Sequence, residues 1–432
     1  MMTLFYIHFM NEKLLHFIWK FRLFEQNNLF TTEGEKVEIV HQGTHNTDAG
    51  ADFQNAKIRI GKTLWAGNIE IHINSKDWFV HKHEQDASYN NVILHVVNES
   101  AGKIASRKSG EIIPTLELKS RINSNTLYRY EELAKRIAWI PCAKFFKEID
   151  EFTAKNFLER LLIERLETKV EQINLLLAAS ENDWENVMFQ MIGRYFGASI
   201  NKEPFFLLAK SLPVKVWAKH QNDLLQMEAL LFGQAGFLEE KFDDEYPNQL
   251  RKEYLYLKRL HNLQPLKKEV WKFLRLRPSN FPTLRFAQLA ALMNKEVKLF
   301  SKIMDARNAK AIHQLFDVDV SAYWQNHYQF DKPSKKVNSH LGSSMKNILL
   351  INAVAPVLFA YGKYKDNEAY CDKAIALLEK CEAESNSIVT GWKKLNLTAA
   401  NAYETQAMLQ LKNEYCDKFR CLNCAIGTKI LK

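Results

Sequence analysis

Glycine and proline are scarce in this 432-residue chain, at 15 and 10 residues, which excludes collagen-like and Pro- or Gly/Ser-rich low-complexity architectures. Cysteine is sparse and lies late. The six residues Cys142, Cys371, Cys381, Cys416, Cys421 and Cys424 are too few, and too far toward the C-terminus, for a disulfide scaffold. Every apolar run is interrupted by charge before the ~18–20 residues of a membrane span, so no membrane association is expected. The opening Met1–Met10 has no charged n-region and no small-residue cleavage site, which argues against a signal peptide; Met10 is an alternative start. The expected compartment is the reducing cytoplasm. The sequence has no G-x-x-x-x-G-K-[ST], G-x-G-x-x-G, G-x-S-x-G or H-E-x-x-H. Nucleotide hydrolysis, dinucleotide redox chemistry, serine hydrolysis and zincin proteolysis therefore lack an anchor.

What is present is ordinary globular material, 47% hydrophobic and 25% charged, enough to bury a core. Its charge is unevenly placed. Residues 1–122 hold 14 Lys/Arg against 14 Asp/Glu, so the net +9 comes entirely from the remainder, while eight of 13 histidines fall in that neutral front. A basic back half is compatible with an anionic partner such as DNA or RNA.

The front third reads as mixed α and β. Asn11 to Phe24 is amphipathic, Val37–Val40 is a short strand, and Thr44–Phe53 is turn-rich. Ala56–Ile60 and Thr63–Ile73 form a hairpin about Gly61-Lys62. Residues 76–90 are polar, with a helix or helical turns. Val92–Val97 is a nearly continuous apolar run, the mark of a strand buried on both faces, and Ile112–Leu118 adds a last strand. From about Asn123 the period becomes 3.6, and helices are expected to the C-terminus, broken near Pro247, Pro265, Pro278/Pro282, Pro333 and Pro356. The expected fold class is α+β: a small mixed-sheet domain over 1–122, then a mostly helical region over 123–432, divided near 240–285 and ending in a Cys-containing helix.

Period-2 alternation places Asn68, Glu70 and His72 on one face and Ile69, Ile71 and Ile73 on the other. With Asp52 before the preceding strand, two carboxylates and an imidazole gather at one end of the sheet. Carboxylates suit Mg²⁺ or Mn²⁺, which need only one or two of them plus substrate phosphate. His81, His83, Asp86, Tyr89 and Asn91 follow within eleven residues. On a helix His83 and Asp86 would be neighbours, whereas His81 and His83 would diverge. They read either as metal ligands, proton shuttles or phosphate contacts over that site, or as a solvated helix with surface histidines. His95, inside an apolar strand, reads as a core histidine.

This order of helix, strand, Asp-led strand, strand bearing Glu70-Ile71-His72, helix and strand resembles the PD-(D/E)XK nuclease core. The resemblance implies a metal-dependent phosphodiesterase with Asp52 and Glu70 as metal ligands and catalytic residues. His72 takes the place of the usual lysine; Lys57, Lys76 and Lys82 are candidates for a migrated charge. A second resemblance covers nearly the whole chain. It rests on Gly50-Ala51-Asp52-Phe53, Trp65–His72, Asp77–His83 through Val97, Arg277–Pro282 and Tyr415–Gly427, which look like the bacterial domain-of-unknown-function 2851 family. That resemblance implies no particular activity.

Elsewhere, Cys416-x₄-Cys421-x₂-Cys424 offers three thiolates for Zn²⁺ or an iron–sulfur cluster, with Cys371 or Cys381 as a fourth, or else buried cysteines packing a terminal helix. Arg275, Arg277 and Arg285 around Phe281 suit phosphate contact and base stacking, or ordinary ion pairing at a helix connection. Trp324–Phe330 with Lys332, Lys335 and Lys336 is a similar basic–aromatic patch. The expected function is a metal-dependent nuclease-like protein acting on DNA or RNA: Asp52, Glu70 and His72 catalytic, and His81, His83, Arg275, Arg277 and Arg285 on substrate. The alternatives are a non-catalytic interaction scaffold and, third, a zinc hydrolase using His81, His83 and a carboxylate.

Overall fold

The computed structural model describes residues 10–432 apart from Arg136, Val297 and Lys336. The apolar opening Met1–Phe9 and Lys336 of the basic–aromatic patch thus lie outside the described residues. The chain forms two compact units, 1–157 with 411–432 and 158–410.

The first unit begins with α1 (Glu12–Lys20), opened by Asn11, whose side chain accepts from the Leu14 amide at 3.0 Å. Its apolar positions Leu14, Leu15, Ile18 and Trp19 are all at most 1% exposed. They join Ile58, Ile69, Ile71, Leu94 and Val96 in the main core, and each such side chain stabilises the unit by ~1.5–3 kcal/mol. Seven strands make one mixed sheet: β1 (Leu29–Phe30), β2 (Lys36–His41), β3 (Thr44–His45), β4 (Phe53–Ile60), β5 (Thr63–Asn74), β6 (Val92–Glu99) and β7 (Thr115–Glu117). The order is β1-β2-β4-β5-β6-β7, with β3 beside β4. Pairing is antiparallel from β1 to β5 and parallel from β5 through β7. The return to a parallel β6 is made by residues 75–91, which hold the four-residue α2 (Asp77–Val80) and two 3₁₀ turns.

The sheet agrees with the alternation in the sequence, but the boundary of the first unit does not stop at 122. Here α3 (Ser124–Ala134) and the terminal segment belong with the sheet: Thr126 Oγ1 donates to the Leu431 carbonyl at 3.1 Å and Arg129 Nη1 to that of Ile430 at 3.0 Å. The division falls inside the long helix α4 (Glu151–Ala179), where no proline, glycine or charge run marks it.

The second unit is almost wholly helical. Proline opens some helices rather than breaking them: Pro282 is the first residue of Pro282–Lys295, where its missing N–H costs nothing. Pro356 lies within a continuous helical run, Ser343–Lys365, whose preceding turn, Leu350–Val354, widens to π geometry; such a bulge accommodates the lost bond. By length and composition this run could cross a membrane, but most of it is buried inside the protein.

Candidate metal centre

Two bulges shape the C-terminal half of β5. Gln54 and Asn55 on β4 lie opposite the single residue Asn68, and Ile93 is the extra residue where β6 meets β5. Gly67 sits beside the second bulge, where a Cβ would come within 2.5 Å of the Asn91 carbonyl oxygen and of Ile93 Cγ2. Bulges re-aim side chains, and here they bracket the start of the segment that carries Glu70 and His72.

Asp52 and Glu70 meet as expected. The Asp52 amide donates to Glu70 Oε2 at 3.1 Å, and Asp52 Oδ2 accepts from the Ile71 amide at 2.9 Å. Asp52 also faces His16 Nε2, from α1, at 3.3 Å. Burial opposes charge on His16, yet the Asp52 hydrogen bond and attraction, with Glu12 and Glu70 behind, hold its pKa above the usual imidazole range.

Glu70 Oε1 points the other way, 3.2 Å from His83 Nε2 and 3.6 Å from His72 Nε2. His72 Nε2 is in turn 3.1 Å from His81 Nδ1. Ligand atoms of His72, His81 and His83 all lie within 4.8 Å of one another. His81 and His83 converge because α2 ends and Lys82 takes the left-handed conformation, φ 59°. The continuous helix that would have splayed them is absent. Asp86, by contrast, accepts from the Ser88 amide and hydroxyl at an exposed turn, outside the cluster. Lys57, Lys76 and Lys82 are all exposed.

Behind the cluster, His95 Nε2 hydrogen-bonds His72 Nδ1 at 2.8 Å. The Tyr89 ring stacks on His83 at 3.8 Å between centroids, and Trp78 sets its edge against His83 and His95. The reading of His95 as a core residue is right about its burial and incomplete about its partner. His16 and Trp78 carried no local signal in the sequence, because only the sheet brings α1, α2 and β5 together.

Burial is the largest cause of the perturbed protonation here. It pushes His72 down to about 2, helped by the neighbouring His95, His83, His81 and His16, and His95 down to about 3. Both rings are therefore neutral at pH 7, the form that binds metal. Burial raises the Glu70 carboxyl, with the attraction of His83 partly offsetting it. Glu70, His72 and His83 are 5%, 1% and 9% exposed, while His81 is at the surface. The centre thus has a closed base and an open rim.

The other expected contacts lie in the second unit. Arg275 and Arg277 are exposed, but Arg285 is buried and gives its guanidinium to Gln288 Oε1 at 2.8 Å and Asn280 Oδ1 at 2.7 Å. Arg285 is a strut between helix and loop, not a surface phosphate contact. It is buried because its helix is buried on every side from Pro282 to Met293.

Residues 12–387 match the model of a family described as Protein of unknown function (DUF2851), and the chain belongs to that family. No curated protein and no solved structure matches the chain.

Proposed function

We propose that this DUF2851 member is a metal-dependent hydrolase whose first unit binds one divalent cation through His72, His81, His83 and Glu70, and that its substrate class is the phosphodiester of DNA or RNA. The convergence of the three imidazoles beside a buried carboxylate carries the reading. A four-coordinate cation with ~2.0–2.1 Å bonds holds its ligand atoms ~3.3 Å apart, and the His72–His81, His83–Glu70 and His72–Glu70 separations of 3.1, 3.2 and 3.6 Å bracket that value. His83 Nε2 is buried and lacks a hydrogen bond of good geometry, as expected of a lone pair aimed at an ion.

Nitrogen donors shift the preferred metal away from Mg²⁺ and Mn²⁺ and toward Zn²⁺. His95 supports the site by bonding the far nitrogen of His72 and fixing its tautomer. With four protein ligands, such a cation would reach a water only by expanding to five-coordinate, and in that form it would activate the water and stabilise charge on a scissile phosphate. Half-buried Asp52 with His16 lies next to Glu70, placed to take or return a proton. The phosphodiester assignment rests on the resemblance drawn from the sequence, with Glu70 and His72 on β5 and Asp52 just before β4.

One observation favours a second reading, a non-catalytic scaffold holding a structural ion: Glu70, His72 and His83 are nearly inaccessible. The two part on His81, the exposed ligand. In a catalytic site, metal-loaded protein cleaves an activated phosphodiester and single-stranded or duplex nucleic acid, and Asp52→Asn abolishes turnover while keeping the metal. Retention of a tightly bound metal with no cleavage of any of these would establish the scaffold. Failure to bind Zn²⁺ or Mn²⁺ would remove both readings.

A further inference from the structure

Helix α4 carries two cations one turn apart, Arg165 and Lys169, on the stretch that belongs to the second unit. Just before them the same helix follows the usual pairing, with Arg160 Nε 3.1 Å from Glu164 Oε1. Arg165 and Lys169 are instead like charges at i,i+4, an unfavourable arrangement on a helix. Both turn to one neutral oxygen. Gln406 Oε1 accepts from Arg165 Nε at 2.6 Å and from Lys169 Nζ at 3.4 Å. The other partner of Lys169 is Asn352 Oδ1, also at 3.4 Å. Lys169 thus has two long hydrogen bonds to amides and, among the described residues, no ion pair.

Both amides are fixed with their oxygens toward the lysine. Gln406 Nε2 donates to Glu384 Oε2, and Asn352 Nδ2 donates to the Ile348 carbonyl at 3.2 Å. Gln406 is 2% exposed, whereas Arg165, Lys169 and Asn352 are partly open to solvent. The group therefore has a buried floor and an accessible side. Asn352 lies in the π turn Leu350–Val354, and such widened turns recur at functional sites. Burial, with the nearby Arg165, holds the Lys169 ammonium well below the usual lysine range, while Glu384 opposes them. Buried charges are normally paired, and this one is supported only by neutral oxygens.

We propose that Arg165 and Lys169, with Asn352 beside them, bind the phosphate group of a small anionic ligand. An ammonium has three N–H donors. This one uses two, both in long bonds, so a donor remains for a ligand oxygen. Arginine supplies a planar fork and lysine a compact point charge, the two cationic groups suited to phosphate. A phosphate monoester, close to a dianion at pH 7, matches two cations better than a singly charged carboxylate does. The site lies wholly within the second unit and stands whether or not the histidine centre binds metal.

The test is calorimetric titration of the metal-free full chain with inorganic phosphate, and with acetate as the carboxylate comparison. Phosphate should bind and acetate should not. Lys169→Met should bind phosphate about 10–100-fold more weakly. Lys215→Gln, at an exposed lysine of the same unit, should bind it as the wild type does. Phosphate should also raise the denaturant midpoint of the wild type and not that of Lys169→Met, a difference that a purely structural lysine would not produce. Lys169→Gln serves if Lys169→Met does not fold. Acetate binding as tight as phosphate, phosphate affinity unchanged in the Lys169 variant, equal weakening in Lys215→Gln, or no phosphate binding by the wild type would each overturn the proposal.

Discussion

Both units bury polar side chains, and they do so in opposite ways. In the helical unit, Glu228 Oε2 accepts from Tyr246 Oη and Trp324 Nε1, both at 2.9 Å. Gln234 accepts from Tyr254 Oη and donates to the Gln264 carbonyl, and Arg285 is held by Gln288 and Asn280. Most of those atoms find complementary partners from neighbouring elements, as internal struts do, although Glu228 Oε1 is buried without one. In the sheet unit, imidazole faces imidazole and carboxylate at short range, and the nitrogens His83 Nε2 and His95 Nδ1 are buried without hydrogen bonds. Buried polar atoms without partners occur in both units; what sets the sheet unit apart is that three imidazoles and a buried carboxylate meet at one point, the arrangement of a site that awaits a ligand.

The strongest challenge to that contrast is metal itself. A cation that binds the folded sheet unit, and not the unfolded chain, at a thousandfold excess over its dissociation constant adds about 4 kcal/mol. Denaturant unfolding of metal-free protein should show that gain on adding Zn²⁺ or Mn²⁺, and His72→Ala should erase it. An equal gain in the variant would mean that the histidines are mere packing.

Proton linkage tests the helical side. Burial lifts Glu228 from 4.5 to about 7 despite its hydrogen bonds, so its folded pKa exceeds its unfolded one. The stability it contributes is full below pH 4.5 and is lost as pH rises through 7, by roughly 3 kcal/mol in all. Glu228→Gln should flatten this slope in urea titrations across that window. A slope unchanged by the substitution would show that Glu228 is not the group responsible.

His95→Phe keeps a ring against Trp78 but removes the bond to His72. Metal affinity measured by calorimetry should fall by about 10–100-fold, whereas a purely structural His95 would leave affinity unchanged and alter only the melting temperature. The smallest effect concerns the arginines. Arg275→Ala and Arg277→Ala should each reduce the salt dependence of DNA or RNA binding by about one charge. Arg285→Ala should leave it unchanged and instead cost about 1–3 kcal/mol of stability, from the hydrogen bonds it strands.

The longer strands were legible because each follows its own side-chain period; the two-residue β1 and β3 were not, being too short to show one. Ile69, Ile71, Leu94 and Val96 alternate or run apolar according to which faces they bury. The Asp52–Glu70 pair was legible for the same reason, as both flank that pattern. Three things were hidden. The left-handed turn at Lys82 falls on a residue type with no preference for it, so the meeting of His81 with His83 left no local trace. Arg285 looked like a surface cation because its charge was visible and the burial of its whole helix was not. Cys142 has Cys421 and Cys424 as electrostatic neighbours although hundreds of positions separate them, and no spacing rule reaches so far.

The sequence by itself therefore determined the α+β class, the central hairpin and the carboxylates at its end, all of which follow from residue periods over a few positions. Tertiary structure alone decided which histidines converge, which arginine is buried and where the first unit ends. Those outcomes depend on chain reversals and helix docking, whose free energies are spread over many long-range contacts rather than written at any one of the residues they bring together.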